Sequence, residues 1–545
     1  MISNYKLSLR KKYTHFIILT TIISLIITFL NFLGPFVMKY AVDQYGNSNQ
    51  NINFFTLFFI IFTGSYITRG LSIILQHKFA YKFKVEESKT LYQNMFKMKY
   101  EKLNSLEPTY LVEKINISVN TLFDLFSNSI SSIIIAGITI IVCLILIEPV
   151  NQIIFTLFLC LVPLQYFGYK KLNKKLSEKS MKLQSICAKN FKDILAIVSN
   201  IDFIKQSGNH NELISLLDKS IRNIEKENSS VSQFAKIISV FLDYSIKIIH
   251  NGIYIYTVFL FLNQSISLSN MVFISLISSI YFPALSKITE TNINLRDLKG
   301  VLHFVEKEIL DNIELNGNIE VDVINNISFK VKDMAYEKVL IKQGEFSVNK
   351  GDIIAIVGKS GCGKSTLMKG LMKLVDINDI YINNVELSNY NNKSLRNKIS
   401  FFSQNILILP ITIKENILLG RKDAMIDWNR LSSKPFMKKF FDMPEGLDTV
   451  IFENGSNLSG GDKQKIALAR IYTEKPDIII LDEVTNSIDK QTSLEIIQDI
   501  VNTFSDNIIF IISHDDYIVD YCNRIIKIEN QRITEINNDK YSSIS

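Results

Sequence analysis

The chain has 545 residues, of which 47% are hydrophobic, 11% aromatic and 21% charged, with only 21 Gly and 9 Pro. That length is too great for one hydrophobic core, and the composition excludes a disordered or collagen-like chain. The formal charge of +7 conceals an asymmetry, because residues 1–300 carry 31 Lys and Arg against 18 Asp and Glu (+13) and the remainder 29 against 35 (−6).

In the basic half, six segments approach the ~20 apolar residues of a membrane-spanning helix. They lie at about 16–38, 54–76, 125–147, 151–169, 240–262 and 267–288. The first is too long for a signal peptide and lacks a small-residue cleavage site, so it reads as an anchor. It begins almost at the N-terminus, so no leader-cleaving peptidase domain is expected ahead of it. The loops Asp43–Asn53, Glu148–Asn151 and Asn263–Ser267 contain no Lys or Arg, whereas Lys78–Ser129 and Tyr169–Ile246 are long and Lys-rich. The basic connections therefore face the cytoplasm, as do both termini. Stretches such as His77–Tyr100 and Lys170–Leu195 have apolar residues at helical spacing, predicting helices that continue out of the membrane. Arg69, and Asp243, Lys247 and His250 at i, i+4 and i+3 spacing, are charged or polar at membrane depth. They read equally as a cavity patch or as local pairs in a wet extension. The cations alternate with apolar runs rather than forming a stripe, so nucleic-acid binding is not expected. Five scattered cysteines (Cys143, Cys160, Cys187, Cys362, Cys522) with no C-x-x-C pair argue against a disulfide framework or a cysteine zinc site.

The second half changes to short β-branched runs separated by turns and helices, an α/β pattern. Gly358, Lys359, Ser360, Gly361, Cys362, Gly363, Lys364, Ser365 and Thr366 fit G-x-x-x-x-G-K-[ST] between the strand-like Ile353–Val357 and the helix-like Leu367–Leu374. That is the context a phosphate-binding loop needs: backbone N–H groups close around phosphates, Lys364 supplies charge and Ser365 a hydroxyl for Mg²⁺. The apolar run Ile478–Leu481 ends in Asp482, a natural Mg²⁺ partner, and Glu483, placed to polarise an attacking water. Between these motifs lie Gln404, after a strand-like run, and Ser459-Gly460-Gly461-Asp462-Lys463-Gln464 opening a helix. That helix is a second anion-receptive N-terminus, and one nucleotide does not need two, so it serves a partner subunit's ATP. A further strand, Ile508–Ile512, leads into Ser513-His514, where a neutral His can reach the γ-phosphate.

The order of phosphate loop, Gln404, Ser-Gly-Gly signature, Asp482-Glu483, Asn486–Asp489 and His514 resembles the nucleotide-binding domain of ATP-binding cassette (ABC) transporters. Six spans with long internal helices ahead of it look like a half-size ABC exporter of the multidrug, lipid and peptide type. The implied fold class is an all-α membrane domain, six transmembrane helices with long cytoplasmic extensions at 1–305, then a linker at 306–325 and an α/β P-loop ATPase of the ABC type at 326–545. The resemblance implies a head-to-tail dimer, ATP and Mg²⁺ as cofactors, and export of a hydrophobic or amphipathic peptide, lipid or drug by alternating access at the cell membrane. A homodimer is expected, with a heterodimer of related halves as the alternative. A regulatory or channel-gating protein that binds ATP without pumping is the alternative function.

By the same resemblance, Glu483, His514 and Gln404 are catalytic, and Ser365, Gln404 and Asp482 hold the metal. The phosphate-loop residues 358–366 with Ser459, Gly460, Gly461 and Gln464 bind nucleotide. The aromatic that stacks on adenine is either Tyr336 or, in the longer alignment, Val331 takes its place. Short coupling helices are implied near Pro108–Lys114 and Asn200–Gly208, and Glu453-Asn454-Gly455 resembles the exporter X-loop. Two departures stand out. Asp462 replaces the usual Gln of the signature, and Asn486-Ser487-Ile488-Asp489 replaces the commoner Ser-Ala-Leu-Asp.

Overall fold

The computed structural model describes residues 2–45, 53–106, 108–198, 206, 210–336, 338–403, 406–421, 426–452, 455–484, 490–513 and 515–536. They form two compact units, one of Met1–Met98 and Leu103–Ile313, the other of Lys99–Lys102 and Glu314–Ser545.

The chain before Ile313 is helical: α1 (Ile2–Tyr45), α2 (Asn53–Met95), α3 (Tyr100–Ser105, whose first residues belong to the second unit), α4 (Pro108–Asp124), α5 (Ile130–Ile147), α6 (Gln152–Val198), α7 (His210–Leu262) and α8 (Leu268–His303). A π-helical turn, Leu125–Ser129, joins α4 to α5. Among the described residues, five stretches are long and apolar enough to cross a membrane: Lys11–Gln44, Thr56–Met95, Tyr110–Ile147, Tyr244–Leu262 and Leu268–Ile288, with Gln152–Gln165 a shorter apolar one. Their outer faces carry Phe59, Ile60, Ile67 and Ile255 in the open, which suits lipid rather than water as the surrounding medium. Inside, α5, α6, α7 and α8 meet through Ile140, Cys143, Ile154, Phe158, Ile253, Ile277 and Tyr281. Polar ties bridge the helices where carbon contacts alone would be weak: Thr20 to Ser131 at 3.0 Å, Ser65 donating to Asn31 at 2.8 Å, and the Tyr281 hydroxyl donating to the Phe158 carbonyl at 2.6 Å.

Both long connections do extend helices, α2 to Met95 and α6 to Val198. The short helix, however, is α3 at Tyr100–Ser105, not at Pro108–Lys114. Pro108 instead opens the 17-residue α4. The reason is elementary: proline lacks an N–H and has a helical φ, which suits the first helical position. Residues 200–205 and 207–208 of the second implied coupling helix lie outside the described residues. On α7, His250 lies between the rings of Tyr254 and Phe282, each at 4.5 Å, with Nε2 buried, while Lys247 and, on α2, Arg69 are exposed. The Asp243 side chain is outside the described set.

The second unit is built on a ten-stranded sheet in the order β5-β4-β1-β2-β10-β9-β3-β8-β7-β6. The strands are β1 (Asn326–Tyr336), β2 (Lys338–Asn349), β3 (Ile353–Gly358), β4 (Ile380–Ile382), β5 (Val385–Glu386), β6 (Ile399–Phe402), β7 (Ile478–Asp482), β8 (Ile508–Ile512), β9 (Arg524–Glu529) and β10 (Arg532–Ile536). Strands β9, β3, β8, β7 and β6 are parallel, and every residue of β7 and β8 is buried. Unbroken apolar runs are what a strand covered on both faces requires. Alternate residues serve two cores. Ile354, Ile356, Ile478, Ile480 and Phe510 face one, and Ala355, Val357, Ile479, Leu481 and Ile511 the other. The flanking helices used below are α9 (Lys364–Leu371), α10 (Ile413–Leu418), α11 (Lys438–Phe441), α12 (Gly460–Tyr472) and α13 (Lys490–Thr503).

Candidate active site

Parallel strands end on the same edge of a sheet, so the residues after β3, β7 and β8 converge. Asp482 pairs in register with Ile512, and β3 runs beside β8, bringing Gly358, Asp482-Glu483 and Ser513 to one rim.

The loop from Gly358 to Gly363 is shaped by glycine where nothing else fits. A Cβ on Gly358 would lie 2.5 Å from the Ile528 carbonyl oxygen and 2.9 Å from Cys362 Sγ. Gly363 is the N-cap of α9 at φ +109°, a left-handed conformation costly for any residue with a side chain, and no side chain caps the helix there. The loop thus presents a backbone-lined concavity at a helix start, the arrangement that receives phosphate. Lys364 is buried, and its Nζ donates to the carbonyls of Gly358 at 2.7 Å and Lys359 at 3.3 Å. Its ammonium is thereby held over the loop.

Ser365 hydrogen-bonds Asp482 across the rim. Burial above all, and the neighbouring Glu483 charge, push the Asp482 carboxyl above its ordinary range, against the Ser365 hydrogen bond and the charges of Lys369 and Lys364. Glu483 has φ +53° although it is not glycine, and its N–H donates to the Ile512 carbonyl at 3.0 Å. Such a conformation costs about 1–2 kcal/mol and persists only where the surroundings enforce it. Here the β7–β8 pairing, extended by that hydrogen bond, turns the Glu483 side chain away from the path a strand would give it.

The Ser459-Gly460-Gly461 turn starts α12. Ser459 Oγ accepts from the Asp462 N–H at 3.2 Å, and Asp462 Oδ2 accepts from the Ser459 N–H at 3.2 Å, a reciprocal capping box. The same Oδ2 accepts from Lys439 Nζ on α11 at 2.7 Å. Burial opposes ionisation of Asp462, but Lys439 and the Ser459 hydroxyl and N–H together hold its carboxyl below the ordinary range. Gln464 is buried on the same helix, with Oε1 unpartnered.

Val331 is fully buried in the sheet core and offers no face to an adenine ring. Tyr336 ends β1 opposite Lys338, and its side chain is outside the described residues. Gln404, His514, Asn486–Asp489 and Glu453-Asn454 also lie outside them. Two contributors escape a reading of motifs. Arg470, at the far end of α12, donates to the carbonyls of Asn416 at 2.9 Å and Leu407 at 2.7 Å, anchoring the segment that follows Gln404. Burial first, with Arg421 nearby, lowers its guanidinium to about 10 against the pull of Glu474, so it remains charged at neutral pH. Lys439 is the second, and no local pattern marks it, since its partner is 23 residues away.

The chain matches the ABC transporter transmembrane region family over residues 17–285 and the ABC transporter family over 341–486. It is 26% identical to the sublancin-168-processing and transport ATP-binding protein SunT of Bacillus subtilis, over 96% of this chain and 76% of that one. A Haemophilus influenzae protein, named as a probable ABC transporter ATP-binding/permease protein, is 35% identical, but the match spans only 42% of this chain and 41% of that protein. The fold is that of a bacterial Atm1-family ABC exporter solved with ATP bound, with a TM-score of 0.86 over 98% of this chain and 96% of the other, at 17% identity. A membrane region and an ATPase domain of this kind, in this order on one polypeptide, make the chain a member of the ABC transporter family, of the fused half-size exporter type.

Proposed function

We propose that this chain is one half of an ATP-driven exporter that moves a hydrophobic or amphipathic substrate out of the cytoplasm by alternating access. The observation that carries the reading is the rim where Lys364, the Ser365–Asp482 pair and the left-handed Glu483 converge. Lys364 offsets the charge on the β- and γ-phosphates. Glu483 takes a proton from the attacking water, a role worth about 10²–10⁴ in rate. The donor set suits Mg²⁺, since a hydroxyl and a carboxylate are the hard oxygen ligands it takes, and a cation would relieve the buried Asp482 of the neighbouring Glu483 charge. Ser365 and Asp482 would hold the ion, with Gln404, and it would supply charge neutralisation on the phosphate oxygens. Tyr336 is the proposed adenine-stacking residue, now that Val331 is inside the core.

Two chains assemble head to tail, so that Ser459, Gly460, Gly461 and Gln464 of one close on the ATP held by 358–366 of the other. His514 supports the γ-phosphate. Both termini and the ATPase half are cytoplasmic, because the long connections are Lys-rich and the short loops carry no Lys or Arg. A peptide is the favoured cargo, supported by the chain-length similarity to a protein whose name includes sublancin-168 processing and transport.

In reconstituted vesicles, Glu483→Gln should cut Mg²⁺-dependent ATP turnover at least about 100-fold and abolish cargo accumulation in parallel. Intact turnover in that variant would refute the assignment of Glu483. Passive cargo flux with no ATP-built gradient would instead make the protein a gated channel.

A further inference from the structure

The signature helix α12 carries a carboxylate, Asp462, in its first turn where the ABC resemblance leads one to expect glutamine. An acid there satisfies the capping box but is the wrong sign for a helix start that must approach ATP. The positive end of a helix attracts anions only as far as fixed negative charge does not cancel it. The hydrogen bonds that Asp462 Oδ2 accepts from the Ser459 N–H and from Lys439 Nζ favour its charged form. Its side chain is only 7% exposed, so water screens that charge little. Among the described residues, the compensating cation in contact with it is Lys439, which lies on a separate short helix, α11, and whose own side chain is 57% exposed. The ammonium reaches in from the surface to the same Oδ2 that caps the turn.

We propose that Lys439 is a positioning residue for ATP use. It neutralises Asp462 and fixes its carboxylate in the capping box, so that the Ser459-Gly460-Gly461 turn stays rigid and receptive to the partner subunit's nucleotide. The inference deepens the reading of the signature given above and rests on it. A partly exposed ion pair contributes little to folding on its own. The effect of Lys439 should therefore appear in the ATP dependence of turnover rather than in stability. It should also vanish when the acid is removed, because the contact through which it acts is the one to Asp462.

The test is a double-mutant cycle on the full-length protein in lipid nanodiscs, reading steady-state KM and kcat for Mg·ATP and the melting temperature. Lys439→Met should raise KM about five- to tenfold with kcat changed less than about twofold, and Lys439→Arg should restore KM. In an Asp462→Gln background, adding Lys439→Met should shift KM by less than about twofold. The proposal is overturned if Lys439→Met has the same effect in the Asp462→Gln background as in the unmodified protein. It is equally overturned if the variant lowers the melting temperature while leaving KM unchanged, which would make the pair a fold contact only. Turnover without cargo accumulation would refute export yet leave this cycle readable, so the two failures are distinct. An unmodified protein that does not turn over ATP would remove the basis of both.

Discussion

The ATPase half starts two helices at ends that suit anions, and it builds them in opposite ways. At α9 the N-cap is Gly363 in a left-handed conformation with no side-chain cap. The turn's backbone bends at glycines, with positive φ at Gly358, Gly361 and Gly363, and leaves the helix start open. At α12 the N-cap is Ser459, extended and reciprocally capped with Asp462, whose charge Lys439 answers. On the function proposed above, the first end encloses phosphates within its own chain, in a loop turned by glycines with Lys364 Nζ held over it. On the assembly proposed above, the second, stiffened by its side-chain caps, holds its shape for the neighbouring subunit's nucleotide. Anion affinity at a helix start is thus not one property, and the way the orphan N–H groups are treated separates the two tasks.

The strongest way to break this contrast is to give the first end a side chain. Gly363→Ala would force a Cβ into the left-handed region and bring it 3.0 Å from Met334 Cε and 3.2 Å from Leu340 Cβ. Left-handed strain costs about 1–2 kcal/mol, and the close contacts add to it. Equilibrium ATP binding should weaken by about 30-fold or more, with little change at the signature. Unchanged affinity would mean that the glycine conformation is incidental.

A second test concerns the opposite end of α12. Arg470 bonds two carbonyls there, tying the helix to the segment after Gln404 through Asn416, which is fully buried and bridges both the N–H and the carbonyl of Leu409. Arg470→Ala removes charged hydrogen bonds from the part-buried Asn416 carbonyl and from the more exposed Leu407 carbonyl, an expected loss of about 2 kcal/mol. The melting temperature of the ATPase half should fall by several degrees. ATP binding to the phosphate loop should be much less affected than in Gly363→Ala, and an equal loss in both would show that the two helix starts are not independent.

Much of this was legible because local spacing and local structure coincide in the ATPase half. Unbroken apolar runs, mostly isoleucine, marked β7 and β8, and the glycine spacing from 358 to 363 marked the loop between β3 and α9. What escaped depends on distance or on backbone conformation. Lys439 finds Asp462 across 23 residues, and nothing in either neighbourhood marks the pair. The left-handed φ of Glu483 follows from its pairing to β8, which no side-chain pattern reveals. In the membrane half, hydrophobicity located helices but not their ends. Apolar residues continue past the membrane into α2 and α4, and Pro108 marks a helix start just beyond the short connecting helix rather than that helix itself.

The finest test of the contrast uses the second reciprocal cap in the same unit. Thr412 caps α10 with Glu415, its Oγ1 accepting from the Glu415 N–H at 3.1 Å and its N–H donating to the Glu415 carboxylate at 3.0 Å, the reciprocal pattern Ser459 makes with Asp462 on α12. Both boxes do the same local work, so Thr412→Ala and Ser459→Ala should each cost about 1 kcal/mol and lower the melting temperature by a few degrees. They should differ in the kinetics. Ser459 opens the turn proposed to meet the partner's nucleotide, so its loss should also raise KM for ATP, whereas Thr412 starts a helix to which no nucleotide contact is assigned and should not. If both variants leave KM alone, the cap at α12 is only a helix stop signal. If both raise it equally, KM is reporting general loosening of the domain. Only an asymmetric result, equal in stability and unequal in KM, is explained by a helix start whose rigidity serves the neighbouring subunit.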